Sequence, residues 1–106
     1  MKSNDMTKSQ LTVAYYQQDI AWENPERNYR LVEDAFATVG KDADVLVVPE
    51  TFNTGFSDNM AAMAEPQEGM TLAFARQMAA YHDALFVGTW TVRLEDGGVV
   101  NRLHWV

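Results

Sequence analysis

The sequence predicts an α/β fold in which parallel strands alternate with helices, and three observations carry that prediction. Val45 to Val48 is a continuous run of aliphatic, mostly β-branched residues, the pattern of a strand covered on both faces. Ahead of it, residues 25–39 repeat apolar side chains every three or four positions, which is the helical period. Earlier still, Leu11 to Gln17 (LTVAYYQ) is short and rich in β-branched and aromatic residues, as buried strands are. Strand, helix and strand in that order make a right-handed βαβ unit.

Taken along the chain, residues 1–10 are polar and patternless and read as a flexible N-terminus. The first helix opens with Asn24 as N-cap and Pro25 at the first helical position, where its missing N–H costs nothing. Gly40 is expected in the left-handed position just past the helix end. Tyr29, Val32, Phe36 and Val39 form the apolar face, with Glu26, Arg30, Glu33 and Asp34 on the other. After the strand at 45–48, the stretch from Pro49 to Met70 is longer than an ordinary connection, and long loops are commonly functional. Thr71 is the predicted cap of a second helix, in which Phe74, Met78 and Tyr81 line up beside Ala75 and Ala79 until Asp83. Ala84 to Leu94 begins as a buried strand and becomes alternating, so it leaves the core. Asp96, Gly97 and Gly98 supply the positive φ angles of a tight turn, and Val99 onward pairs back. The sequence stops at LHWV, with Trp105 and Val106 in an apolar strand with an open edge, and so reads as truncated.

Composition narrows the function classes. With 106 residues, 47% of them hydrophobic, the chain is one domain at most and can bury about two thirds of its unfolded surface. Eight Lys plus Arg stand against fifteen Asp plus Glu, and a net charge of -7 repels phosphate backbones and anionic lipids, so no nucleic-acid or membrane partner is expected. No apolar run follows the basic residues near the start, which points to the cytoplasm. There is no cysteine, so this chain holds no disulfide, thiolate metal site or cysteine nucleophile.

Glu50 is the sharpest candidate for chemistry. It follows a buried strand and a proline, at the edge where open α/β sheets place their sites. A carboxylate fed from a dry strand should be partly desolvated, which shifts it toward the range of a general base. The competing reading is a strand-end acid turned to solvent. Phe52 and Phe56 are candidate substrate-binding walls, with Gly55 allowing a tight turn, unless these aromatics simply pin the loop to the core. His82 and His104 lack metal-ligand spacing and read as surface or core residues, so no metal and no cofactor is expected. The methionines at 60, 63, 70 and 78 read as core filler, and Asn101 as a buried amide tying two backbone segments together.

VLVVPETFNTGFS, preceded by a helix opening at NPERN, resembles the first catalytic segment of the nitrilase superfamily, the carbon-nitrogen hydrolases. FARQMAAYHDALFVGTW and GGVVNRL resemble that family's second helix, following strand and next hairpin strand, and PETFNTGF with GGVVNR is similar to the bacterial omega-amidase branch. The resemblance implies an α-β-β-α four-layer sandwich, of which residues 11–106 would be the N-terminal portion. It also implies a Glu, Lys, Cys triad, and only Glu50 matches a member. Lys2, Lys8 and Lys41 all precede the position of the family lysine, so the chain alone is expected to be inactive. The implied reaction is hydrolysis of a small amide, such as a 2-oxoglutaramate-like 2-oxo acid amide, through a cysteine thioester with Glu50 as base. The family's habit of dimerising through helices implies a homo-oligomer.

A second reading stands beside this one. A small, non-catalytic α/β binding module would use the edge formed by Leu103, Trp105 and Val106 to pair with a partner strand.

Overall fold

The computed structural model describes residues 9–106. Most of the segment read as a flexible N-terminus, residues 1–8, lies outside the described residues. The elements are β1 (Val13–Tyr15), α1 (Pro25–Val39), β2 (Val45–Val47), α2 (Met60–Met63), β3 (Glu65–Pro66), α3 (Met70–His82), β4 (Leu85–Arg93) and β5 (Val99–Trp105). They form a mixed α/β fold around one five-stranded sheet.

The parallel part of the sheet has the order β1-β2-β4. β5 runs antiparallel along one edge of β4, pairing from Val87↔Trp105 to Arg93↔Val99. Residue Val87 also pairs with Val47, so β2 must occupy the opposite edge of β4. β3 then pairs with Val92 and Arg93 further along that same opposite edge. One edge of β4 therefore takes β2 first and β3 later, and the chain between them bulges away from the ladder.

The two sheet faces differ sharply. Directly paired residues share a face, and the row Ala14, Leu46, Phe86 is buried beneath α1 and α3. Val32 and Phe36 from α1, and Phe74, Ala75 and Met78 from α3, complete this core. The other face carries Val13, Tyr15, Leu103 and Trp105, all exposed. Only two layers, helices on a sheet, are therefore built from these residues.

The structure differs from several local expectations. Gly40 is right-handed (φ -69°) and opens a 3-10 turn over Gly40–Asp42. A Cβ there would lie 2.9 Å from His82 Nδ1 and 3.1 Å from Phe36 Cβ, so glycine is needed for close approach between α1 and α3, not for a positive φ. Asn28 takes the buried α1 position beside Val32 and Phe36, while Val39 is exposed. In α3 the inward residue of the last turn is His82, and Tyr81 faces solvent. Thr71 lies inside α3, whose N-cap is Gly69. Asn24, Pro25 and Asp83 do mark helix ends: Asn24 Oδ1 accepts from Arg27 N, and Asp83 is left-handed at φ 50°.

Gly88 is the second glycine set by space. Its missing Cβ would lie 2.6 Å from Cγ2 of the buried Val48. Val48 stands beside Gly88, one residue past the last β2–β4 pair, Val47↔Val87, and its side chain fills the space that a Cβ would take. Gly88→Ala is expected to cost about 1–3 kcal/mol by overpacking, read as a lower denaturant midpoint with an unchanged slope.

His104 stacks flat on Trp90, with ring centroids 3.7 Å apart and planes 1° from parallel. Burial holds its pKa below the ordinary 6.5, partly offset by a backbone hydrogen bond at Arg102. The unfolded imidazole takes up a proton below pH 6.5 more readily than the folded one. This contribution to stability is complete above pH 6.5 and is lost as pH falls from there through the lower folded value. His104→Phe keeps the stacking without the titration, so its stability should fall less than that of the wild type between about pH 7.5 and pH 5. Equal losses in the two proteins would reject this account.

Candidate active site

Glu50 is delivered by a short series of backbone events. Val48 N still donates to Val87 O at 3.1 Å, which continues the β2–β4 ladder by one bond. Pro49 then has no N–H to offer, and the ladder stops. Thr51 turns the chain with a left-handed φ of 49°, an uncommon conformation for a β-branched residue. Its N–H donates to Thr89 Oγ1 on β4 at 2.9 Å, and its hydroxyl donates to Glu50 O at 2.7 Å. Thr54 N and Gly55 N both donate to Thr51 O, at 3.1 and 2.8 Å, closing a tight turn that ends on Gly55 at φ 78°.

This turn is fixed from below by buried amides. Asn28 of α1, fully buried, accepts from Gln18 Nε2 (2.9 Å) and Ala21 N (2.7 Å) and donates to Ala21 O (2.9 Å) and Asn53 O (2.8 Å). Both ends of its amide are thus satisfied, as burial demands. Asn53 Nδ2 donates to Glu65 Oε2 and Thr71 Oγ1, each at 3.2 Å. The Glu65 carboxylate in turn accepts from Thr71 N at 2.7 Å and from the Thr71 hydroxyl. Glu65, not Thr71, therefore caps α3, placing a negative charge at the positive end of the helix. Tyr29 closes the cluster through a 2.7 Å hydrogen bond to Thr71 Oγ1, and burial, reinforced by Glu65 and Glu26, pushes its pKa up to about 12. It stays a neutral phenol across the working pH range.

The Glu50 side chain lies on the uncovered sheet face. Its Oε1 accepts from Asn101 Nδ2 at 2.9 Å, and Asn101 stands on β5 opposite Thr91. Glu50 is exposed, so the desolvation expected of a carboxylate following a dry strand is not supplied by these residues. Two concavities, one lined by Glu33, Tyr81 and His82 and the other by Glu23, Glu65 and Met70, both exclude Glu50. On this chain the carboxylate stands on an open surface.

The sequence candidates separate here. Phe52 is fully buried, with its ring against Tyr29, Phe74, Phe86 and Trp90, and so belongs to the core beneath the turn rather than to a pocket wall. Phe56 is 68% exposed and is the aromatic of the loop that faces outward. Asn101 is not a buried backbone tie; it is exposed and bonds the Glu50 carboxylate. A signal for this was present in the alternation of β5, but using it required the pairing register. Among the described residues no cluster of three or more His, Asp or Glu side chains could hold a metal ion. Lys41 lies at the N-terminal end of β2, the far end of that strand from Glu50.

Comparison with known proteins identifies the family. The profile of the family described as carbon-nitrogen hydrolase matches residues 12–105. This chain belongs to the carbon-nitrogen hydrolase family. It is 32% identical over 91 residues to "Omega-amidase YafV" of Yersinia enterocolitica, covering 86% of this chain and 35% of that protein. The fold superposes on XC1258 of Xanthomonas campestris, a CN-hydrolase superfamily protein with an arsenic adduct in its active site, with a TM-score of 0.85 and 32% identity. That match covers 91% of this chain and 36% of XC1258. An N-terminal amidase shares the fold at a TM-score of 0.74 and 14% identity, over 91% of this chain and 25% of its own. The carbon-nitrogen hydrolase segment described here thus spans about a third of the length of the relatives at 32% identity.

Proposed function

We propose that this segment supplies Glu50 as the general base of an amidohydrolase that opens a non-peptide amide through a cysteine thioester. The observation that carries the reading is the Glu50 carboxylate itself. It is set at the C-terminal end of β2 by a hydrogen-bonded turn and held by Asn101 on the face free of helices. A carboxylate with one oxygen anchored and the other open can accept a proton, transfer it and take up another.

An amide carbonyl is a weak electrophile, which is why the route uses a thiol. Glu50 takes the proton of a cysteine supplied by the rest of the protein, and the sulfur adds to the amide carbon. Glu50 passes that proton to the nitrogen, the C–N bond breaks and ammonia leaves a thioester. Water then gives a proton to Glu50 and its oxygen to the acyl carbon, releasing the acid and, on return of the proton, the thiol. A lysine ammonium, also supplied from beyond this segment, balances the oxyanion in both additions. The similarity to an omega-amidase supports an ω-amide of a 2-oxo acid, such as 2-oxoglutaramate, as substrate. With no cysteine of its own, the 106-residue chain by itself hydrolyses no amide by this route.

The test is Glu50→Gln in the enzyme that contains this segment, with ammonia release and substrate binding measured separately. The exposed Tyr15, Leu103 and Trp105 favour one competing reading, a binding module with no catalytic role. A monodisperse assembly of the 106-residue chain, together with full turnover in the Glu50→Gln enzyme, would establish that reading instead.

A further inference from the structure

We infer that Asn101 is a positioning residue that fixes which oxygen of the Glu50 carboxylate is free to take up a proton. The inference rests on Glu50 acting as the base. The hydrogen bonds of the turn hold only the backbone of residues 51–55, and a glutamate side chain on an open surface can still rotate about three bonds. Asn101 supplies the missing restraint, with its Nδ2 2.9 Å from Glu50 Oε1 and 51 residues away in sequence. A carboxylate only accepts hydrogen bonds, so the amide must present its NH2 group to it. Among the described residues no donor engages Oε2, which leaves that oxygen available.

The placement is a consequence of register. β5 pairs Asn101 with Thr91, two residues along β4 from Thr89, the residue that receives Thr51 N. The turn and the side chain it carries are therefore referenced to adjacent positions of the same two-stranded ribbon. Val99 and Leu103, the neighbours of Asn101 on that face, have no side-chain donor. The chemistry of the donor matters as well. A neutral amide orients a carboxylate without pairing its charge, whereas a lysine or arginine there would stabilise the ionised form and oppose proton uptake.

The experiment compares Asn101→Ala, Asn101→Asp and Asn101→Gln with Glu50→Gln in the enzyme that contains this segment, with thermal midpoints recorded for all. Loss of a hydrogen bond to a charged group predicts a fall in kcat of about tenfold or more for Asn101→Ala at unchanged KM. Asn101→Asp, nearly isosteric but lacking the donor and adding a like charge, should fall further. Asn101→Gln keeps the NH2 group and should recover part of the rate. An inactive Glu50→Gln together with wild-type kcat in the Ala and Asp variants would overturn the role of Asn101 and leave Glu50 as the base. Equal losses in all three Asn101 variants, with raised KM or lowered midpoints, would make the role structural and overturn it too. Wild-type turnover in Glu50→Gln would reject the reading on which the inference rests.

Discussion

Glu50→Gln, introduced into the enzyme that contains this segment, should lower kcat by about a thousandfold, in the middle of the range for general acid–base groups. Glutamine is nearly isosteric with glutamate, and its amide oxygen can still accept from Asn101 Nδ2. The turn at 51–55 is held by its own backbone bonds and by Thr89, so it should not move. What the substitution removes is the capacity to take up a proton, which both the acylation and the deacylation of the proposed mechanism need. On the proposed mechanism Glu50 contributes proton transfer and not substrate affinity, so KM should stay within a few-fold. Ammonia release under single-turnover conditions, set beside a binding isotherm for the intact amide, separates the two effects. A rate within tenfold of wild type would remove Glu50 from the role of base.

The second large effect concerns stability. Phe52→Ala should destabilise the fold by about 3–5 kcal/mol, the cost of emptying an aromatic site in a packed core. The Phe52 ring sits 5.8 Å from Phe86, 6.0 Å from Trp90, 6.3 Å from Phe74 and 6.5 Å from Tyr29, centroid to centroid, so one truncation removes a partner from four others. Phe56→Ala, four residues later but largely exposed, should change stability by no more than about 0.5 kcal/mol. Denaturant titrations of the two variants make the comparison directly. A reversal of the order would return Phe52 to the pocket wall suggested by the sequence.

The contrast between these two phenylalanines shows where sequence reasoning reached its limit. Strand β2 and the position of Glu50 were legible because a run of aliphatic residues ending in proline leaves little choice of structure. The start of α1 was legible for a similar reason, since Asn24 and Pro25 act on their immediate neighbours. Phe52 and Phe56 are chemically identical and lie in the same loop. Which of them points inward depends on the left-handed turn at Thr51, a residue type with no preference for that conformation. The role of Asn28 has no sequence signature, because a single buried amide makes no pattern and its four hydrogen bonds reach Gln18, Ala21 and Asn53 in two separate loops. Local capping rules point to Thr71 for α3, whereas the carboxylate that caps it arrives from β3. The contact of Asn101 with Glu50 follows from the β4–β5 register, which no local pattern in β5 reveals.

The shared edge of β4 has one further consequence. Val47 and Glu65 are tied to Val87 and Val92, five strand rises or about 17 Å apart, so both ends of the intervening segment are moored to one rigid beam. Within that segment the hydrogen-bonded turn ends at Gly55, and the exposed stretch around the short α2 follows it. The turn that sets Glu50 is closed by its own bonds before this stretch begins, and the contacts of the stretch back to β4 are those of Met60 with Thr91 and Ala61 with Arg93. The backbone that carries the Glu50 carboxylate is thus fixed separately from the longer stretch that borders it, so the position of the one does not depend on the length of the other.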